Sequence, residues 1–139
     1  MEIDFIDLEQ RLQSSMPSIL EKSDSSHQIT SSITSEVTNW FSEKGFIFQK
    51  EMPIWGVNYS RVVRFQWGKK QGAARTIGRL DVVAQKGSCV VAIEIDRIHN
   101  QRSIDKLMKA DSKGFQTVWI RWSGEIGDVP GEIFLIDLT

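Results

Sequence analysis

Phe5, Leu8, Leu12, Met16 and Leu20 recur every three or four residues, and this spacing predicts a first helix over residues 4–21, interrupted or kinked near Pro17, whose ring removes an amide donor. The polar run Ser23-Asp24-Ser25-Ser26 breaks that pattern. Ile29, Ile33, Val37, Trp40 and Phe41 then mark one face of a second helix, which Gly45 stops. After Gly45 the period shortens to that of strands. Residues 46–52 read as a strand ended by Pro53, Arg61 to Trp67 as another, and Gly68-Lys69-Lys70-Gln71-Gly72 as a loop. Two apolar runs follow, 77–84 and 89–96, and the turn chemistry of Gln85-Lys86-Gly87-Ser88 predicts that they form a tight antiparallel hairpin. Ile104, Leu107 and Met108 begin a helix that runs to Lys113 and is closed by Gly114; residues 117–122 and 133–136 are two further strands.

This order predicts an α/β fold, a mixed central β-sheet flanked by helices. The 89–96 strand should run parallel to the 117–122 strand through a right-handed helical crossover. Neither an internal repeat nor a low-complexity tract interrupts the pattern. The expected organisation is a single domain over 1–139, with an N-terminal helix in 1–22 appended to a core over 28–139.

Composition narrows the function classes. With 40% hydrophobic and 25% charged residues in 139, the chain can bury a sizeable core. The net charge of −1 excludes a whole-chain attraction to phosphate, so affinity for nucleic acid must come from a local patch. The single cysteine, Cys89, falls inside a core strand and excludes an intramolecular disulfide framework. No apolar stretch approaches the roughly 18–20 residues of a membrane span, and the acidic start Met1-Glu2-Ile3-Asp4 lacks signal-peptide character. A cytoplasmic protein without a membrane partner is expected.

The candidate chemistry lies in the hairpin. Asp81 is set in the run Ile77 to Ala84 and Glu94 in the run Cys89 to Asp96, and folding about Gly87 brings Asp81 opposite the neighbourhood of Glu94. Facing residues of an antiparallel pair have Cβ atoms about 4.5–5.5 Å apart. Two carboxylates that close repel each other unless a cation or a shared proton lies between them, and a divalent metal is the simplest resolution. A structural alternative is ion pairing with Arg79, Arg102 or Lys106. Asp96 shares a strand face with Glu94, whereas Arg97 points to the other face. Glu36 lies three residues after Ile33 and four before Trp40, at the edge of the apolar face of its helix.

Arg79-Leu80-Asp81, twelve intervening residues, Glu94-Ile95-Asp96 and a preceding helix carrying Glu36 together resemble the PD-(D/E)XK nuclease superfamily, the restriction-endonuclease-like fold, over roughly residues 29–122. The resemblance implies metal-dependent hydrolysis of phosphodiester bonds, in the first place a DNA endonuclease, with RNA left open as substrate. It implies Mg2+ as cofactor, with Mn2+ as a substitute, held by Asp81 and Glu94, with Asp96 as a candidate third ligand and Glu36 as an outer helper. Hard carboxylate oxygens suit magnesium, and a metal so held neutralises the phosphoryl group and activates water.

The departure from the family is Asp96, which occupies the place where the E-x-K motif has lysine. Migration of that lysine to the following helix occurs within the superfamily, and Lys106 is then the preferred substitute. A second repair reads Glu94, Asp96, His99 and Asp105 as a variant of the E-D-x-H-D pattern of nucleases similar to very-short-patch repair enzymes, with imidazole as general base. Ser103 has N-cap character, which would put Asp105 and Lys106 in the first turn of the helix. A different class of function is a catalytically inactive member that binds nucleic acid or a protein partner.

The basic residues Arg61, Arg64, Lys69, Lys70, Arg75 and Arg79 are concentrated with no acid among them. Strand alternation gives Arg61 and Arg64 no common face. Lys69, Lys70, Arg75 and Arg79 are therefore the candidates to lie along a phosphate backbone. Small nucleases of this type cut duplexes as dimers, so a homodimer is a candidate assembly, with the N-terminal helix as its contact.

Overall fold

The computed structural model describes residues 2–55 and 76–139. The strand predicted from Arg61 to Trp67, and Lys69, Lys70 and Arg75, lie outside the described residues. Along the chain come α1 (Phe5–Lys22), α2 (Ser26–Glu43), β1 (Ile47–Trp55), β2 (Thr76–Lys86), β3 (Cys89–Asp96), α3 (Gln101–Ser112), β4 (Gln116–Arg121) and β5 (Ile133–Asp137). Among the described residues this is an α/β protein with a five-stranded mixed sheet, in the order β1-β2-β3-β4-β5, and three helices packed against it.

Each helix starts and stops where its sequence supplies the missing hydrogen bonds. Asp4 caps α1 by accepting from the amides of Ile6 and Asp7, and Ser25 caps α2 by accepting from Gln28. Gly45, at φ 86°, ends α2: the Phe46 amide donates to the Phe41 carbonyl and the Gly45 amide to that of Ser42. The Phe41 and Phe46 rings then meet edge to face, 5.2 Å between centroids. The same closure ends α3 at Gly114, where the Phe115 amide donates to the Ala110 carbonyl.

Two expectations about helix detail change. Helix α1 runs through Pro17 without interruption, and its buried stripe is Phe5, Leu8, Leu12, Met16 and Ile19, leaving Leu20 exposed. Helix α3 is capped by Asn100, which accepts from the Arg102 amide at 3.0 Å, and Ser103 is buried inside the helix. Both residues have capping chemistry, but the earlier one leads, so Lys106 sits beyond the first turn.

The sheet carries a core on each face. Helices α1 and α2 cover one face, over Val82, Ala84, Val91, Ile93, Ile95, Val118, Ile120 and Ile136. Helix α3 covers the other, packing Ile104, Leu107 and Ala110 on Met52, Ile54, Leu80, Val83, Ala92 and Trp119. Strands β1, β2 and β3 are antiparallel in sequence, and the expected parallel pairing of β3 with β4 is present, continued by a parallel β5. Pro53 lies within β1 rather than ending it. At the end of the strand order, β1 has a neighbour only on the β2 side among the described residues, and an edge strand tolerates the missing amide. The hairpin turn is the predicted one: Lys86 pairs with Cys89 across Gly87-Ser88, with Gly87 at φ 61°.

Candidate active site

From its turn, the β2–β3 hairpin is a regular ladder as far as Val82 opposite Ile93. One step further come Asp81 and Glu94, and there side chains take over from main-chain pairing. The Asp81 amide donates to Glu94 Oε2 at 2.9 Å, and the Ile95 amide donates to Asp81 Oδ2 at 2.7 Å. Alternation breaks at the same point. Leu80 and Val83 both belong to the cluster beneath α3, while Val82 belongs to the cluster on the other face. On β1, Glu51 takes a φ of 56° between the pairs Lys50 with Val82 and Met52 with Leu80. This shared irregularity turns the Asp81 carboxylate into the seam between β2 and β3 instead of onto a face.

Glu94 follows the regular parity of β3 and lies on the α3 face with 1% exposure. From α3 the Lys106 ammonium forms an ion pair with Glu94 Oε1 and donates to the Arg79 carbonyl at 2.8 Å. Burial in the first place, and the Asp81 carboxylate after it, push the Glu94 carboxyl up to about 8, with Lys106 acting in the opposite direction. Lys106 thus offsets Glu94, and Asp81 adds a second carboxylate beside it. The remaining negative charge calls for a proton or a cation.

Asp96 has both oxygens engaged. Trp119 Nε1 donates to its Oδ2 at 2.8 Å, and Asn100 Nδ2 donates to its Oδ1 at 3.1 Å. Because Asn100 is also the cap of α3, Asp96 secures the helix that carries Lys106. Of the ion-pair partners considered for the acids, Lys106 is the one found on Glu94; the Arg79 guanidinium is exposed and donates to the Glu51 carbonyl at 3.4 Å.

The other candidates are not brought to this point. Glu36 accepts from Arg11 Nε at 3.1 Å, in the layer formed by α1 and α2 on the far face of the sheet. His99 Nδ1 accepts from the Gly127 amide at 3.2 Å, and its ring meets Trp119 edge-on. Asp105 is exposed and accepts from Gln101 Nε2 at 3.0 Å. Glu94, Asp96, His99 and Asp105 therefore do not converge as the E-D-x-H-D reading requires. Among the described residues no group of three His, Cys, Asp or Glu side chains is arranged to hold a metal ion.

The donor chemistry nonetheless fits magnesium in one form. Asp81 and Glu94 offer two hard carboxylates, Asp81 oriented through Oδ2 by the Ile95 amide and Glu94 held through Oε2 by the Asp81 amide and through Oε1 by Lys106. A Mg2+ that keeps several of its waters needs no more than one or two carboxylates from the protein.

Gly78 and the Arg79 carbonyl are site components that the sequence reading passed over. A glycine inside a strand is itself a signal of close approach by another group. Gly78 sits where the Lys106 stem crosses β2.

The sequence matches no protein-family model, and a search of curated proteins finds no match. Among the described residues, no helix is long and apolar enough to cross a membrane.

Proposed function

We propose that this protein is a metal-dependent nuclease with a restriction-endonuclease-like core, hydrolysing phosphodiester bonds in nucleic acid, with DNA as the first substrate to test. One observation carries the reading: a lysine from the helix after β3 meets the buried glutamate of a carboxylate pair at the β2–β3 seam, where the sequence lacks a lysine in its usual place. Asp81 and Glu94 would hold Mg2+, or Mn2+ in its stead. The metal, when bound, neutralises charge on the attacked phosphoryl group and lowers the pKa of water. Asp81 and Glu94 fix the position of the charge through their hydrogen bonds to the amides of Ile95 and Asp81. Lys106 offers an ammonium beside Glu94 that can orient a water or exchange a proton with it. Asp96 supports the helix instead of acting as a third ligand, and Glu36 stays with Arg11. Arg79, exposed on β2, is the described member of the phosphate-facing basic group, and a homodimer cutting both strands remains part of the proposal.

The second reading is an inactive nuclease-fold module that binds nucleic acid or a protein. It is favoured by the self-sufficiency of the cluster, in which Lys106 already offsets one of the two acids without any metal.

The deciding experiment measures cleavage of supercoiled and linear DNA with Mg2+ or Mn2+ by the wild type, Asp81→Ala and Glu94→Ala. Metal-dependent nicking lost in both variants is the expected result. Absence of wild-type cleavage on duplex, single-stranded and branched DNA and on RNA would overturn the nuclease reading in favour of the binding module.

A further inference from the structure

We infer that Gly78 is a positioning residue for Lys106: the side chain it lacks leaves the passage through which the lysine crosses β2 to reach Glu94. This rests on the reading of Lys106 as the lysine of the site. A β-carbon built on Gly78 would lie 2.9 Å from Lys106 Cδ, 3.5 Å from Cγ and 3.9 Å from Cε, and these are its three nearest neighbours. The obstruction is to the middle of the lysine stem, not its free end. Lys106 starts on α3, its stem passes over Gly78, and its ammonium ends between the Arg79 carbonyl and Glu94. With a methyl group at 78 the stem must lift from the strand, and the ammonium, fixed at the other end of the same four carbons, withdraws from its partners.

The backbone does not itself require glycine here. Among the described residues the glycines at positive φ are Gly45, Gly87, Gly114 and Gly124, and Gly78 is not among them. Gly78 pairs with Ile54 and Arg79 with Pro53, and the register with β1 shifts on the other side of Gly78, where Trp55 pairs with Thr76. Alanine is conformationally allowed in such a strand and loses less entropy on folding than glycine does. The strand therefore keeps an open position under the lysine that meets Glu94.

The test compares wild type, Gly78→Ala, Gly78→Ser and Lys106→Ala, with Gly131→Ala as control because a β-carbon there meets nothing within 4 Å. Melting temperature reports folding. Acylation by an N-hydroxysuccinimide ester, read by peptide mass, reports how freely Lys106 reacts relative to exposed Lys22 in the same molecule. Single-turnover DNA cleavage with Mg2+ reports function. Gly78→Ala should remain folded, label Lys106 several-fold faster, and cleave about 100-fold more slowly, the scale of a displacement of roughly 1 Å in a catalytic group. Gly78→Ser carries the same expectation if the alanine variant does not fold, and Gly131→Ala should match wild type in all three. Wild-type labelling of Lys106 in Gly78→Ala overturns the inference. So does unchanged cleavage by Gly78→Ala where Lys106→Ala abolishes it, a result that leaves the nuclease reading standing. If the wild type cleaves nothing, the nuclease reading fails, and the labelling still decides whether Gly78 places Lys106.

Discussion

Asp81 and Glu94 hold one another's strands: the Asp81 amide donates to the Glu94 carboxylate, and the Asp81 carboxylate accepts from the amide next to Glu94. The acids are therefore part of the sheet as well as of the site. Asp81→Ala leaves the Ile95 amide without its acceptor and should cost about 1–3 kcal/mol, whereas Asp81→Asn retains an acceptor and should cost clearly less. Urea unfolding of both variants measures the difference. Equal losses would mean that this bond contributes nothing to stability.

Removing the Lys106 ammonium separates chemistry from folding. Lys106→Met keeps an unbranched stem over Gly78 but leaves Glu94 beside Asp81 with no opposing charge. Cleavage should fall by about 100-fold or more, the scale of a general acid–base group. The Glu94 carboxyl should move further up, readable as a shift in its carboxyl infrared band with pH.

Glu94 also sets a pH dependence for the metal-free protein. Its carboxyl titrates near 8 when folded against an ordinary 4.5, so the folded state holds the proton more tightly. The associated stability is fully present below pH 4.5 and is lost as pH rises toward 8, with a slope of at most about 1.4 kcal/mol per pH unit. Unfolding curves with a chelator at acid and mildly alkaline pH should show this decline in wild type and a much flatter profile in Glu94→Gln. A wild-type curve as flat as that of the variant would contradict the assignment.

Asp96→Ala tests the anchoring of α3. The Trp119 indole and the Asn100 amide each lose an acceptor, and about 1–3 kcal/mol of stability should go with them. Amide hydrogen exchange should quicken at the start of α3, around Arg102, while metal affinity measured by calorimetry stays that of wild type. A loss of metal affinity without faster exchange would return Asp96 to the role of ligand.

Much of this arrangement was legible in the chain. The hairpin about Gly87, the stops at Gly45 and Gly114 and the α2 face built on Ile33, Val37, Trp40 and Phe41 follow from local signals, because turn geometry and helical period act over a few residues. Lys106 was reached through the resemblance, and the structure places it on Glu94. What local signals could not supply was competition between equals. Asn100 and Ser103 can both cap a helix, and Ile19 and Leu20 can both face a core; tertiary packing chose Asn100 and Ile19. Glu36 had the right helix edge but a nearer partner in Arg11, a residue 25 positions away in sequence. Asp96 likewise found Trp119 across the parallel β3–β4 pair, a neighbour that spacing within one strand cannot reveal.

The break in alternation at Asp81 makes residue number in β2 more restrictive than residue type. Leu80 and Val83 share a face only because of that break. Conservative exchanges on either side, such as Leu80→Met or Val83→Ile, alter volume and leave the carboxylate in the seam. A single insertion or deletion between Gly78 and Val83 would rotate every side chain beyond it, moving the acid from the seam, the open position from beneath the lysine and the apolar residues from their layers in one step. Along this strand a change of length disturbs more of the site than a change of side-chain size does.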